Sequence, residues 1–252
     1  MTDSLTRDGF LGGRLAVWQP RRGYRAGVDP VLLAAAVPAA PGQSVLDLGC
    51  GAGVAGLCLQ ARIGGLRLTG LELQADYAAL ARRNAEENGL PMTVETGDLA
   101  RMPPALRAES FDHVLTNPPY YLRDAGTVTA EAGRGAARAE ATPLAGWIDA
   151  AVRRLRPGGM LTVIQRADRL PDLLSACDGR LGGLRLLPLA PRRARCAELV
   201  ILRARKGARA PFRLLPPLIL HQGDRHLADG DSYLPEIRAV LRDGKALPTD
   251  WH

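Results

Sequence analysis

SVLDLGCGAGVAG, residues 44–56, joins a short apolar run to a ladder of glycines. SVLDLG (44–49) has the length and composition of a buried strand, and VAGLCLQARI (54–63) continues with the periodicity of a helix. Glycines between them let the backbone turn tightly and approach a ligand where a Cβ would intrude. A strand, a glycine turn and a helix open a β-α-β unit, and the rest of the chain repeats that rhythm.

Strands are expected at LRLTGLE (66–72), MTVET (92–96), FDHVLT (111–116) and MLTVIQ (160–165). ADYAALARRNAEENG is an amphipathic helix stopped by Gly89. A second helix opens with Thr142 as N-cap and Pro143 in its first turn, and Pro157-Gly158-Gly159 closes it. Upstream, YRAGVDPVLLAAAVPAAPG gives a short helix started by Asp29 and Pro30 and ended near Pro38. This alternation predicts an α/β fold with a mainly parallel sheet and helices on both faces. Ligands of such sheets bind at the carboxyl ends of the strands, where strand order reverses. LRLLPLAPRRARCAELVILRARKG departs from the rhythm: two strands joined by an arginine-rich turn, adding one antiparallel strand. The residues after this hairpin are expected to fold back on the body.

Of the 252 residues, 46% are hydrophobic but only 4% aromatic, so the core must be aliphatic and alanine-rich. No apolar run approaches the ~20 residues of a membrane span, and MTDSLTRDGF lacks the order of a signal peptide, so a cytoplasmic location is expected. Cys50, Cys58, Cys177 and Cys196 form no C-x-x-C pair, and no histidine stands at ligand spacing, so no metal site is expected. The formal charge of +7 fits a nucleic-acid partner. It fits compositional bias equally, because arginine supplies nearly all of it and the only lysines are Lys206 and Lys245.

Gly51-x-Gly53-x-x-Gly56, with Glu72 beyond, satisfies a dinucleotide pattern. Asp47 shifts the balance, because a carboxylate immediately before the glycines repels a pyrophosphate. S-adenosylmethionine (SAM) has no phosphate and carries a sulfonium and an ammonium, which an acid favours. SAM is the better candidate cofactor. Glu72 would then accept from the ribose hydroxyls. Asp98, in TGDLA, would accept from the adenine amino group, and the Leu99 backbone N–H would donate to the ring. TNPPYY (116–121) follows the fourth strand to the same edge; its two prolines forbid continuation and fix the next turns.

D-x-G-x-G-x-G at 47–53, N-P-P-Y at 117–120 and LRPGGML at 155–161 together resemble the class I SAM-dependent methyltransferases that modify exocyclic amines and amides. The resemblance spans about residues 24 to 205. It implies a Rossmann-like, mainly parallel seven-stranded sheet with one antiparallel strand, and Gly49, Gly51, Gly53 and Asn117 lining the cofactor cleft. It also implies that the Asn117 side-chain oxygen and the Pro118 carbonyl accept the two N–H hydrogens of the target amine. Pro119 would fix the carbonyl's direction and Tyr120 would stack on the extruded base. GYRAGVDPVLLAAAV (23–37) further resembles the segment before the glycine loop in bacterial tRNA (adenine-N6) methyltransferases acting on a valine tRNA. There Tyr24, Arg25 and Asp29 would line the methionine side of the cofactor pocket. LADGDSYLPEIRAVLRDG resembles that family's closing helix, although LPE stands where a threonine before the glutamate is expected.

The expected protein is a single methyltransferase domain: an N-terminal segment 1–43 over the cofactor, a catalytic core 44–205 and a packed extension 206–252. Its expected substrate is an adenine N6 amine of RNA, most simply tRNA, and its expected state a monomer or weak dimer. Guanine-N2 methylation of rRNA, glutamine methylation of release factors, and a SAM-binding RNA-binding protein are the alternatives. For RNA contacts, Tyr121 ends the elbow as a second stacking platform or a packing residue, and Arg123, Arg134 and Arg138 stand in the long linker 122–141. Arg192, Arg193 and Arg195 stand in the hairpin turn.

Overall fold

The computed structural model describes residues 4–120, 142–223 and 232–251. The described residues begin with an antiparallel hairpin, β1 (Leu5–Phe10) and β2 (Leu15–Pro20), for which the sequence pattern predicts no strands. Helix α1 (Asp29–Ala36) follows, with Pro30 in its first turn and Val28 as N-cap. Then come β3 (Ser44–Leu48), α2 (Val54–Ile63), β4 (Arg67–Glu72), α3 (Ala75–Glu87), β5 (Thr93–Thr96), the short α4 (Pro104–Ala108) and β6 (Phe111–Thr116). After the linker, α5 (Leu144–Arg154), β7 (Leu155–Arg166), α6 (Leu170–Ala176), β8 (Leu181–Ala190) and β9 (Leu199–Lys206) complete the main body. Two-residue strands β10 (Arg213–Leu214) and β11 (Leu218–Ile219) precede the last helix, α7 (Pro235–Asp243).

The seven principal strands lie in the order β8-β9-β7-β6-β3-β4-β5, and β10 and β11 extend the edge beyond β8. Every pairing from β7 through β5 is parallel, and β9 is antiparallel to both β7 and β8. The hairpin therefore supplies the expected antiparallel strand. Chain order reverses between β3 and β6: the chain runs outward through β4 and β5, then returns to β6 on the other flank. That crevice receives the loops after Leu48 and after Thr116. One core gathers α1, α2, α7 and the N-terminal hairpin, through Leu15, Val17, Leu33, Leu57 and Ile237. A second gathers α5 and α6 on the sheet, through Phe111, Trp147, Ile148 and Leu173, and a small third lies under α3 through Cys50, Ala78, Ala81 and Val94.

Two boundaries differ from expectation. Helix α5 has Pro143, not Thr142, as its N-cap. Strand β7 begins at Leu155, before Pro157-Gly158-Gly159 rather than after it. The triplet is a bulge: Phe111 pairs with Leu155, and two residues later His113 pairs with Met160. A Cβ at Gly159 would lie 3.0 Å from the Arg156 carbonyl oxygen and 3.1 Å from that of Asp112, so the tight side of the bulge needs glycine.

Many cationic side chains are occupied by helix ends. Arg62 donates to the carbonyls of Ala34 and Val37, and Arg203 donates to that of Ala36, so two guanidiniums satisfy the last turn of α1. Arg154 binds the end of α4, and Lys206 donates to Val152 and Leu155 at the end of α5. The burial that this requires pushes the Arg203 guanidinium down to about 9. Trp251 stacks 3.7 Å from that guanidinium. A share of the net positive charge is therefore architectural.

Candidate active site

The glycine turn is held by backbone bonds to the neighbouring strand. The Gly49 and Cys50 N–H groups both donate to the Leu71 carbonyl, at 2.8 and 3.0 Å. Gly49, Gly51 and Gly53 have φ of 75°, 55° and 88°, the left-handed region that a glycine alone enters without strain. Glu72, at the end of β4, is buried among these amides. One carboxylate oxygen accepts from Gly51 N–H at 2.9 Å and the other from Gln74 N–H at 2.8 Å. Burial nevertheless raises its affinity for a proton.

A cavity of about 260 Å³ opens at the crevice. Glu72, Gly49, Gly51, Asp98 and Leu99 line it from the β3–β5 side. Tyr24 and the complete Asn117-Pro118-Pro119-Tyr120 elbow line it from the other. Asp98 also caps the turn after β5, accepting from Ala100 N–H at 2.8 Å. Asp47 lies one step away, in a smaller cavity that shares Tyr24, Gly49, Tyr77 and Asn117 with the first. Its side chain is 2% exposed and accepts from Gly56 N–H at 2.9 Å. Burial pushes its carboxyl up to about 7, against the Gly56 bond, and the Glu72 carboxylate adds to the rise.

At the elbow, Asn117 Nδ2 donates to the Tyr24 hydroxyl at 3.3 Å. Asn117 Oδ1 is buried with no hydrogen-bond partner. An unmatched acceptor costs about 1–3 kcal/mol, so its retention beside a cavity points to a donor that arrives with a ligand. Tyr120 is fixed at both ends: its hydroxyl donates to Asp29, and Arg169 donates to its carbonyl at 3.2 Å. Burial and the Asp29 charge both strengthen the hold of that phenol on its proton.

Several expected residues stand elsewhere. Arg25 does not line the cavity: it pairs with Asp8 at 2.7 Å and donates to Thr6 and the Pro20 carbonyl. Asp29 is likewise absent from both cavity walls and acts on the elbow through Tyr120. Gly53 is the N-cap of α2, where a Cβ would press 3.3 Å from Ala81 and Leu57; it serves the turn, not the cavity wall. Arg192 is buried and donates to the carbonyls of Gln222 and Gly223, so it is not presented to a phosphate. Arg193 and Arg195 are exposed on the β8–β9 turn. Because β8 is parallel to β7, that turn lies at the carboxyl edge that also carries the elbow. Tyr121, Arg123, Arg134 and Arg138 lie outside the described residues.

Trp147 and Tyr77 were not anticipated. Trp147 lines the cavity from α5, its ring end so close to Gly49 that a Cβ there would be 2.6 Å away. Tyr77 lines it from α3 and donates to the Tyr24 carbonyl at 2.8 Å. Both sit on the inner face of helices that flank the crevice, a placement only the assembled sheet reveals. Among the described residues no cluster of His, Cys, Asp and Glu could hold a metal ion. No described helix is long and apolar enough to cross a membrane.

Comparison with known proteins gives one consistent class. Residues 26–180 match the family model described as the methyltransferase small domain. A tRNA1(Val) (adenine(37)-N6)-methyltransferase of Dickeya chrysanthemi is 28% identical over 256 residues, with 96% of each chain covered. The protein of the same name from Salmonella typhimurium is 34% identical over 141 residues, covering 55% of this chain and 56% of its own. Among solved structures, a predicted O-methyltransferase from Agrobacterium tumefaciens superposes with a TM-score of 0.69 at 28% identity, over 86% of this chain and 97% of its own. A Thermus thermophilus 16S rRNA N2 methyltransferase, solved with AdoMet and guanosine, shares the fold at a TM-score of 0.56 and 21% identity, covering 80% of this chain and 50% of its own. The glycine turn, the acid at the end of β4 and the matched family model lead to one conclusion: the chain belongs to the methyltransferase small-domain family.

Proposed function

We propose that this enzyme transfers a methyl group from SAM to the N6 amine of an adenine in tRNA. One observation carries the proposal: Asn117 Oδ1, buried and without a partner, stands in a proline-stiffened elbow on the cavity wall. The tRNA assignment is supported by the named activity of the relatives from Dickeya and Salmonella.

The residues present fit the cofactor. Gly49 and Gly51 leave room in the wall, Glu72 offers two carboxylate oxygens to a ribose, and Asp98 with the Leu99 N–H suits an adenine edge. Asp47, in the adjoining cavity, suits an ammonium. SAM, when bound, supplies an electrophilic methyl on a sulfonium.

An exocyclic adenine amine is a poor nucleophile because its lone pair is conjugated into the ring. Asn117 Oδ1 and the Pro118 carbonyl accept its two hydrogens, favour rehybridisation at nitrogen and stabilise the positive charge that grows there. Pro118 and Pro119 hold the carbonyl's direction in advance, so little reorganisation accompanies transfer. The Tyr120 ring offers the base a stacking surface, set in place by Asp29 and Arg169. Two acceptors match an amine, which presents two hydrogens; a hydroxyl presents one.

Mass spectrometry of nucleosides tests the proposal, after incubation of unmodified tRNA and rRNA with enzyme and deuteromethyl-SAM. Labelled N6-methyladenosine in tRNA is the expected product. Label confined to methylguanosine or to protein would overturn the substrate assignment.

A further inference from the structure

The loop Arg21-Arg22-Gly23-Tyr24-Arg25 joins β2 to α1 and is braced more heavily than a connector requires. At its base, Gln19 accepts from Ala26 N–H at 2.8 Å and its side-chain amide donates to Asp8 at 2.9 Å. Arg25 closes the base by pairing with the same Asp8 and donating to Thr6 and to the Pro20 carbonyl. The only acid of the hairpin strands is thereby neutralised within the loop's own foundation. Tyr77 takes hold of the Tyr24 carbonyl from α3. Next to the loop, Asn84 of α3 and Asn88 at its C-cap bond the backbone of Ala16 and Trp18 on both donor and acceptor sides, at 2.8–3.1 Å, as a neighbouring strand would.

This foundation presents three exposed side chains. Arg21 and Arg22 neighbour Tyr24 in the loop, a residue 55% exposed although it lines the cavity. Among the described residues only Phe212 and Leu214 are comparable exposed large apolar side chains, and both lie on the far edge of the sheet at β10. The Tyr24 hydroxyl is tied to Asn117, the residue proposed to grip the target amine. A rigid, exposed aromatic with adjacent arginines is the arrangement that holds single-stranded nucleic acid without reading its sequence, through base stacking and phosphate pairing.

We infer that residues 21–24 form an RNA-binding rim, in which Tyr24 stacks on a base next to the flipped adenine while Arg21 and Arg22 bind the phosphates flanking it. The inference rests on the RNA substrate proposed above. It adds phosphate contacts from the loop after β2 to those expected of Arg193 and Arg195.

The test is binding of an unmodified anticodon stem-loop RNA, followed by fluorescence anisotropy across a salt series, to wild type, R21A/R22A, Y24F and Y24A. Calorimetry with SAM on R21A/R22A serves as the folding control. The rim predicts that R21A/R22A lowers the steepness of log K against log salt by about 1.5, as loss of two phosphate contacts requires, with SAM affinity unchanged. Y24F should bind within about twofold of wild type and Y24A about tenfold more weakly, because stacking needs the ring and not the hydroxyl. An unchanged salt slope in R21A/R22A, or equal binding by Y24A and wild type, would overturn the rim while leaving the RNA substrate standing. A wild type with no RNA affinity, and label entering protein instead, would overturn both.

Discussion

Asp47 ties a buried acid to the binding of a cation, and pH exposes the link. In the free enzyme burial holds its carboxyl at about 7, so its ordinary charge is largely suppressed below neutrality. If its role is to face the ammonium of SAM, binding selects the ionised form and must expel a proton at low pH. With a pKa of 7, about 3% of the enzyme is ionised at pH 5.5 and about half at pH 7.0, so SAM affinity should rise about 16-fold across that interval. The ligand's own α-amino group, at ~7.7–8.0, stays charged throughout. Glu72 also titrates upward through burial, which makes Asp47→Asn the necessary control. Calorimetry at several pH values, in buffers of different ionisation enthalpy, reads both the affinity and the proton count. Asp47→Asn should bind more weakly at pH 7 and lose most of the slope. The same slope in wild type and variant, or no slope in wild type, would refute the pairing of Asp47 with the ammonium. A stability effect of opposite sense accompanies it. The folded state retains a proton that the unfolded chain releases near 3.8, so stability falls as pH rises from there through 7. Asp47→Asn removes that loss, which thermal melts across the range would detect.

Glu72→Gln turns an acceptor toward the Gly51 and Gln74 N–H groups into a side chain that can satisfy only one of them, and removes the charge offered to a ribose; SAM affinity should fall about 10–100-fold by calorimetry, and an unchanged value would remove Glu72 from the cofactor site. Tyr120→Ala should cost about 10–100-fold in kcat/KM from lost stacking, whereas Tyr120→Phe, which loses only the bond to Asp29, should stay within about tenfold. Equal losses in both variants would assign the effect to the hydroxyl. Asn84→Ala strips two bonds from Trp18 and one from Ala52 at a fully buried site; it should destabilise the enzyme by about 3 kcal/mol in denaturant titration, and a change under about 1 kcal/mol would mean that the hairpin docks by apolar contact alone.

The fold was legible where a local pattern and a local cause coincide. VAGLCLQARI is α2 to the residue and FDHVLT is β6, because apolar periodicity there is bounded by glycine and proline signals. The N-terminal hairpin left a weaker trace. Leu15, Val17 and Gln19 alternate inward after Gly12-Gly13, but the strand edge not paired with β1 is satisfied by Asn84 and Asn88, some 70 residues onward. The start of β7 was hidden because Pro157-Gly158-Gly159 has the composition of a stop, and only its register with β6 makes it a bulge. Around the cavity, Glu72, Asp98 and the elbow stand together as their positions at strand ends imply. Arg25 was not, because its partner Asp8 belongs to the unrecognised hairpin. Arg192 looked like a surface cation until the carbonyls of Gln222 and Gly223 met it.

The proposed mechanism assigns Asn117 to transfer and not to cofactor binding. Single-turnover methylation of unmodified tRNA by wild type and Asn117→Ala, with SAM affinity measured on the same preparations, tests it directly. A loss of about 10²–10³ in the transfer rate with SAM affinity within about threefold is the predicted result, as for removal of one preorganised partner of developing charge. A retained rate, or a loss of SAM affinity equal to the loss of rate, would contradict it.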